Sequence, residues 1–217
     1  MLYIENLSKV FQSPNRTVAA LDNVSLTVEA GEFVVVEGPS GSGKTTLLLS
    51  AGGLLAPSDG MVLIDNQDPY RMSPDSRAHF RASVIGFVFQ QFHLVSYLSV
   101  LDNVLAPSLA LPHEKARERG EALIEHFNLS ERISHIPAEL STGERQRTAM
   151  ARALLNNPKF LLADEPLGNL DKDNAEILLG YLDEFARSGG AVLMVTHNSN
   201  MIKYEHRTVQ LKKGKLL

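Results

Sequence analysis

The sequence of 217 residues contains no cysteine, which excludes disulfide bonds and thiolate metal sites and suits a reducing compartment. It also lacks a long apolar run, because segments such as 191–195 are far shorter than the roughly 20 residues that span a bilayer. The first residues show no basic region followed by an apolar stretch, so no export signal is expected. These absences predict a cytoplasmic protein that reaches a membrane only through a partner.

An excess of basic residues is missing too. The formal net charge is -4, whereas proteins that bind duplex nucleic acid usually present a positively charged surface. No internal repeat and no low-complexity segment is visible, so each chain carries one functional unit. With 44% hydrophobic residues, the chain can bury a substantial core. We therefore expect a globular domain that does not bind nucleic acid.

The hydrophobic pattern predicts strands that alternate with helices. Strands are predicted within 1–37 and at 61–65, 84–89, 160–163 and 191–195, and helices near 44 and at 75–83, 114–127, 141–156 and 173–187, before a final hairpin around 212–215. Such alternation implies an α/β fold with a mainly parallel sheet. We expect one domain over 1–217, with an N-terminal antiparallel β subdomain, a core at about 1–94 and 141–217, and a helical insert at about 95–140.

The strongest motif is a glycine-rich loop, G-x-x-x-x-G-K-[ST] at 38–45, directly after a predicted strand and before a helix. Its main-chain amides and the helix N-terminus form a cradle for phosphate, Lys44 reaches the β- and γ-phosphates, and Thr45 is placed to ligate Mg²⁺. The motif predicts a P-loop NTPase core that binds ATP with Mg²⁺. The candidate nucleotide-binding residues of this loop are Gly38, Pro39, Ser40, Gly41, Ser42, Gly43, Lys44, Thr45 and Thr46.

Two carboxylates follow the apolar strand 160–163. Ligands of a parallel sheet bind beyond the carboxyl ends of its strands, so Asp164 is predicted to hold Mg²⁺ and Glu165 to polarise the attacking water. Pro166 is expected to keep Glu165 at an extended strand tip. His197 follows the strand 191–195 and is expected to contact the γ-phosphate. The alternatives are a plain helix start for the acidic pair and an ordinary surface position for His197.

A second helix start, Leu140-Ser-Thr-Gly-Glu144, has two interpretations. Ser141 and Glu144 fit an S-x-x-E capping box, which is a purely structural role. The same helix end, with Ser141 and the Gly143 amide exposed, also suits a phosphate. Because the glycine-rich loop already supplies one cradle, the phosphate would belong to another copy of the chain. This interpretation predicts an isologous homodimer with two shared sites.

Taken in order, these motifs resemble the nucleotide-binding domain of ABC transporters over essentially the whole chain. The set comprises 38–45, Phe87-Val-Phe-Gln90, 140–144, 160–165, Gly168-Asn-Leu-Asp171 and His197. Within that family, 88–92 and 168–171 are most similar to the ATPases of lipoprotein-releasing and macrolide-export systems. Cell-division relatives and peptide-antibiotic resistance exporters are similar too.

The resemblance implies further roles. Phe11 would stack on adenine, although it could simply belong to the core. Gln90 would couple Mg²⁺ and the water to a membrane partner, Asp171 would line the dimer interface, and Glu144 would lie near the nucleotide. The family usually has Gly at Thr142 and Gln at Glu144. We expect these two departures to weaken ATP-driven closure or slow turnover.

The resemblance implies an ATP-hydrolysing subunit that energises export or extraction through a separately encoded integral membrane permease, on the inner face of the cell membrane. An alternative from another class is an ATPase that regulates a membrane protein in signalling, cell division or cell-wall activity without transport. DNA-repair or translation factors of the same superfamily are disfavoured, because they usually carry two cassettes or long coiled-coil inserts. An ordinary nucleotide kinase would leave 140–144, Gln90 and His197 unexplained.

Overall fold

A computed structural model describes residues 1–14, 16–197 and 204–217. The first of its sheets is antiparallel, with strand order β2-β1-β4. Its strands are β1 (Leu2–Ser13), β2 (Arg16–Val28) and β4 (Asp59–Ile64). The expected N-terminal antiparallel subdomain is therefore present.

The second sheet has six strands in the order β5-β6-β7-β3-β8-β9, and every neighbouring pair is parallel except β8 with β9. Its strands are β3 (Phe33–Glu37), β5 (Ile85–Phe89), β6 (Phe160–Asp164), β7 (Ala191–Thr196), β8 (Arg207–Lys212) and β9 (Lys215–Leu216). The mainly parallel order confirms the predicted core. The carboxyl ends of β3, β6 and β7 lie side by side, which brings the segments that follow them together.

The helices are α1 (Lys44–Ala51), α2 (Pro74–Val84), α3 (Val100–Leu105), α4 (Ala116–His126), α5 (Thr142–Leu154) and α6 (Lys172–Arg187). Short 3₁₀ turns occur at Pro69–Arg71, Ala106–Leu109, Ser130–Arg132 and Pro137–Glu139. Residues 95–140, all of which the structure describes, contain helices and turns but no strand. The predicted elements thus occur, with ends that differ by a few residues.

The core has two layers, one on each face of the parallel sheet. Val34 and Val36 of β3 face the antiparallel sheet and pack with Leu47 and Leu48 of α1. The alternate residues of β3, such as Val35, face the cluster that helices α3 to α6 help to form. Both faces of β3 are therefore buried, as its β-branched sequence predicts. Among the described residues, no helix is both long enough and apolar enough to cross a bilayer.

Candidate functional site

The glycine-rich loop connects β3 to α1 and is closed in by two other strands. Gly43 lies just before α1 with φ 107°, a conformation that favours glycine, and a Cβ there would collide with the carbonyl oxygen of Ala20 in β2. At Gly38 a Cβ would collide with the carbonyl oxygen of Leu211 in β8. The two glycines therefore allow the loop to curl tightly between β2 and β8.

Lys44, the first residue of α1, turns its side chain back into this loop. Its Nζ donates hydrogen bonds to the carbonyl oxygens of Gly38, at 2.8 Å, and Pro39, at 3.2 Å. The same atom lies 3.4 Å from Oε1 of Glu165. Because the residue is only 7% exposed, its charge is directed into the loop and not into bulk solvent.

Thr45 and Asp164 meet at the carboxyl end of β6. The Thr45 hydroxyl donates to Oδ1 of Asp164 across 3.2 Å. Burial raises the pKa of Asp164 from its ordinary value, with the nearby Glu165 acting in the same direction and the Thr45 hydrogen bond opposing. A hydroxyl and a half-buried carboxylate thus lie beside the start of α1. The described residues contain no group of three or more His, Asp or Glu that could by itself hold a metal.

Glu165 is not extended, so the expectation from Pro166 was wrong. Its φ is 45°, and the chain turns directly after β6, with the Gly168 amide donating to the Glu165 carbonyl at 3.1 Å. This turn aims the carboxylate across the sheet end towards β7. Oε2 accepts a hydrogen bond from the His197 amide at 3.1 Å and lies 2.8 Å from Nδ1 of the His197 ring. Lys44, Glu165 and His197 therefore form one contiguous group.

Gln90 follows β5 and lies against the turn after β6. The Asn169 side-chain amide donates to the Gln90 carbonyl oxygen at 2.9 Å. A Cβ on Gly168 would come within 2.6 Å of Gln90 Nε2, so any other residue there would displace the end of the glutamine side chain. The ends of β5 and β6 are thereby joined beside Glu165.

A cavity of about 610 Å³ opens over these groups. Its lining includes the predicted residues Ser40, Gly41, Gly43, Lys44, Thr45, Thr46, Gln90, Glu165 and His197. Phe11 is not in this lining, but it pairs across the β1–β2 hairpin with Val18, which is a lining residue. Phe11 is 43% exposed. A somewhat larger cavity, about 660 Å³, contains none of the predicted site residues. The smaller cavity is therefore the candidate site, because of the residues that line it and not because of its volume.

The start of α5 lies outside this cavity and contains the capping box. The Ser141 hydroxyl accepts from the Glu144 amide at 3.2 Å, and Oε2 of Glu144 accepts from the Ser141 amide at 2.7 Å. Arg132 Nε donates to the other carboxylate oxygen at 2.9 Å. These hydrogen bonds, that from Arg132 first, lower the pKa of Glu144 to about 2. The negative charge of Glu144 is thus balanced within the chain.

The start of α6 touches the start of α5. Asp171 caps α6 by accepting from the Asn174 amide at 2.9 Å, and this bond, with a second from the Asn174 side chain, lowers the pKa of Asp171. The side-chain oxygen of Asn174 fills the space that a Cβ on Gly143 would occupy. Ser141, Gly143, Glu144 and Asp171 are therefore grouped at two helix N-termini, apart from the residues that line the cavity.

A family model described as ABC transporter matches residues 21–168, more than half of the chain. The chain belongs to the ABC transporter family. It is an ATP-binding and ATP-hydrolysing subunit that energises membrane transport.

Similar proteins span this ABC ATPase from end to end. The lipoprotein-releasing system ATP-binding protein LolD of Gluconobacter oxydans is 43% identical over 100% of this chain and 95% of its own length. The macrolide export ATP-binding/permease protein MacB of Escherichia coli is 39% identical over 100% of this chain, which covers only 34% of MacB. A dimeric structure of the bacterial ABC transporter cassette MJ0796 superposes with a TM-score of 0.91 at 38% identity, covering 100% of this chain and 96% of that one.

The sequence motifs of the ABC ATPase did not reveal one wall of its cavity. Val18, Ala19 and Ala20 of β2 and the turn Lys213-Gly214 complete the lining. The turn is fastened to the phosphate loop, because the Gly214 amide donates to the Ser42 carbonyl at 2.9 Å. The Lys-Lys-Gly-Lys hairpin signal was visible in the sequence, but nothing local indicates that the parallel sheet brings it beside residue 42.

Proposed function

We propose that two copies of this ABC ATPase close around two ATP molecules, with each site completed by the partner's Ser141 and Gly143. Within one chain these residues lie at the start of α5, outside the cavity that contains Lys44 and Glu165. A helix N-terminus, with its partial positive charge, suits the terminal phosphate of a nucleotide held by another copy. The relative MJ0796 is described as a dimeric cassette, and a second structure of it as a dimeric post-hydrolysis state bound to ADP and Pi.

The residue roles rest on the contact group of Lys44, Glu165 and His197. In the structure, Glu165 lies within hydrogen-bonding distance of His197 and close to Lys44. A triphosphate carries more negative charge than one carboxylate, so it is a stronger partner for the Lys44 ammonium and for the N–H donors of His197. Lys44 then contacts the β- and γ-phosphates, and His197 contacts the γ-phosphate. Glu165 is then left to orient the attacking water and accept its proton.

Thr45, Asp164 and Gln90 suit Mg²⁺. This ion usually takes one or two carboxylates together with substrate phosphates, and the neighbouring Thr45 hydroxyl and Asp164 carboxylate match that preference. The raised pKa of Asp164 reflects a carboxylate that burial leaves in need of a cation. When bound, Mg²⁺ neutralises charge on the phosphates. Phe11, exposed opposite Val18, supplies the face on which adenine stacks.

The transport task we propose is export or extraction through a separately encoded membrane permease, with the ATPase bound peripherally to the inner face of the membrane. LolD, which this chain matches over 95% of its length, is named for lipoprotein release, and MacB is named for macrolide export. The test is to purify the ATPase with its permease, reconstitute both in vesicles and measure ATP-dependent release of cargo. ATP hydrolysis that alters permease-linked signalling without moving any cargo would contradict this proposal.

A further inference from the structure

The loop that carries Gln90 has an unusual backbone. Phe92 and His93, two and three residues after Gln90, have φ values of 60° and 49°. Consecutive bulky residues rarely adopt this left-handed conformation, because the side chain crowds the following carbonyl group. The surrounding structure must therefore hold the loop in place.

Arg152 of α5 provides that hold. Its guanidinium donates one hydrogen bond to the His93 carbonyl oxygen at 2.6 Å and another to the Phe92 carbonyl oxygen at 2.5 Å. A planar guanidinium presents such parallel donors in a fixed geometry. Burial lowers the pKa of Arg152, and no acidic side chain among the described residues opposes this shift. The two main-chain carbonyls are thus the partners that keep this cation in a partly desolvated position.

The same helix leads to the other half of the proposed site. α5 begins directly after Ser141 and contains Arg152 in its last turn. On its other side, Gln90 contacts the turn that starts at Glu165. Its carbonyl oxygen accepts a hydrogen bond from Asn169, and its side chain lies close to Gly168. Arg152 therefore links a rigid helix, whose first turn is assigned to the partner's nucleotide, to the loop that places Gln90 over the chain's own nucleotide.

We infer that Arg152 is a positioning residue for ATP hydrolysis, which holds the Gln90 loop in its left-handed conformation and ties its position to that of α5. The inference rests on the role proposed for Gln90. Loss of the guanidinium leaves the two carbonyl oxygens without their donor, and the loop can relax into ordinary backbone conformations. Gln90 then moves away from the reacting groups, while the phosphate cradle around Lys44 keeps its structure.

The test compares Arg152→Met and Arg152→Lys with Asn156→Ala. Asn156 lies four residues further along and binds the carbonyl oxygens of Ala82 and Pro107, so its removal costs similar contacts without touching residues 92 and 93. We expect Arg152→Met to lower kcat by about 10- to 100-fold with affinity for trinitrophenyl-ATP within about twofold of wild type. Arg152→Lys keeps the positive charge but loses the two parallel N–H donors, so its kcat should lie between those of Arg152→Met and wild type. Asn156→Ala should retain kcat.

Hydrogen exchange and a double-mutant cycle complete the test. In Arg152→Met, amides in the segment 89–95 should exchange faster than in wild type, and in Asn156→Ala they should not. Gln90→Ala combined with Arg152→Met should be little slower than either single variant, because both changes remove the same positioned group.

Each remaining outcome has a defined meaning. Wild-type kcat in Gln90→Ala would remove the proposed role of Gln90 and the inference with it. If Gln90→Ala lowers kcat but Arg152→Met has a normal kcat, the inference about Arg152 is overturned and the proposed role of Gln90 stands. Additive losses, or equal losses of kcat in Asn156→Ala, would show that Arg152 does not act through the Gln90 loop.

Discussion

At the scale of single residues, the most informative contact is that of Glu165 with His197 and Lys44. The carboxylate lies against the amide and ring of His197 and 3.4 Å from the Lys44 ammonium. The residue proposed to take a proton is thus restrained by the residues proposed to grip phosphate. If a bound triphosphate becomes the partner of Lys44 and His197, the Glu165 carboxylate becomes available to the attacking water.

Glu165→Gln should therefore bind ATP normally and hydrolyse it about 10²- to 10⁴-fold more slowly, because it keeps the shape of the side chain but loses the base. Single-turnover hydrolysis and equilibrium binding of ATP would measure the two effects separately. Lys44→Ala is the matched comparison, since it should lose binding as well. Near-normal turnover in Glu165→Gln would remove the base role from this residue.

Lys213 is a second residue with a testable role. It is exposed at the cavity wall, and its ammonium makes no ion pair or hydrogen bond with the described residues. A cation beside a triphosphate site should attract nucleotide, so Lys213→Glu should weaken ATP binding by about tenfold at low salt and by less at high salt. Lys212→Glu makes the same charge change one residue earlier, outside the lining. Equal effects of the two changes would indicate general electrostatics only.

At the scale of elements, the N-terminus of α5 combines a structural cap with a proposed ligand site. Because Arg132 and the Ser141 amide lower the pKa of Glu144 to about 2 from an ordinary 4.5, the carboxylate stabilises the fold above about pH 4.5. That stabilisation is lost progressively as the pH falls towards 2. The local balance of charge also means that Glu144 adds less repulsion towards a phosphate than its sequence position suggests.

Glu144→Gln should accordingly lower the melting temperature by about 2–4 °C at pH 7, and the difference from wild type should shrink as the pH falls from 4.5 towards 2. Thermal unfolding at a series of pH values measures this. The ATPase rate at pH 7 should change by less than about threefold if Arg132 balances the charge. A constant difference in melting temperature at every pH would show that the ion pair is unimportant.

The elements were predictable from sequence to different degrees. Strands such as β3 and β6 carry continuous β-branched or apolar runs that are typical of buried parallel strands, and capping residues mark the starts of α5 and α6. The phosphate loop could be predicted because its chemistry is local. The left-handed φ of Glu165 and the Lys213 wall could not, because they depend on which strands become neighbours.

At the scale of the whole molecule, the separation of the α5 start from the cavity is decisive. One chain contains the phosphate loop and the proposed base, Glu165, whereas the N-terminus of α5, the proposed second phosphate-binding site, lies outside the cavity. Under the proposed arrangement, ATP drives the association of two copies because it bridges their interface, and hydrolysis reverses the association by removing the bridging phosphate. A membrane partner can use this cycle of closing and opening.

Ser141→Ala in a Glu165→Gln background should test this association. Ser141→Ala removes the N-cap of α5 and should cost about 1 kcal/mol of stability. Ser73→Ala removes the N-cap of α2 and should cost a similar amount. Only Ser141→Ala should also weaken ATP-dependent dimerisation, measured by analytical ultracentrifugation at saturating Mg-ATP. Equal dimerisation of the two variants would leave Ser141 with a capping role alone.

The hydrogen bonds from Arg152 end on peptide carbonyls and not on side chains. Such a connection recognises no side chain at residue 93, so homologous proteins can exchange that residue, within what its left-handed backbone allows, without a compensating change at 152. Methods that infer contacts from correlated substitutions will consequently miss this link. Mutational scanning that records turnover and abundance separately should detect it instead, as a position where activity falls further than folding does.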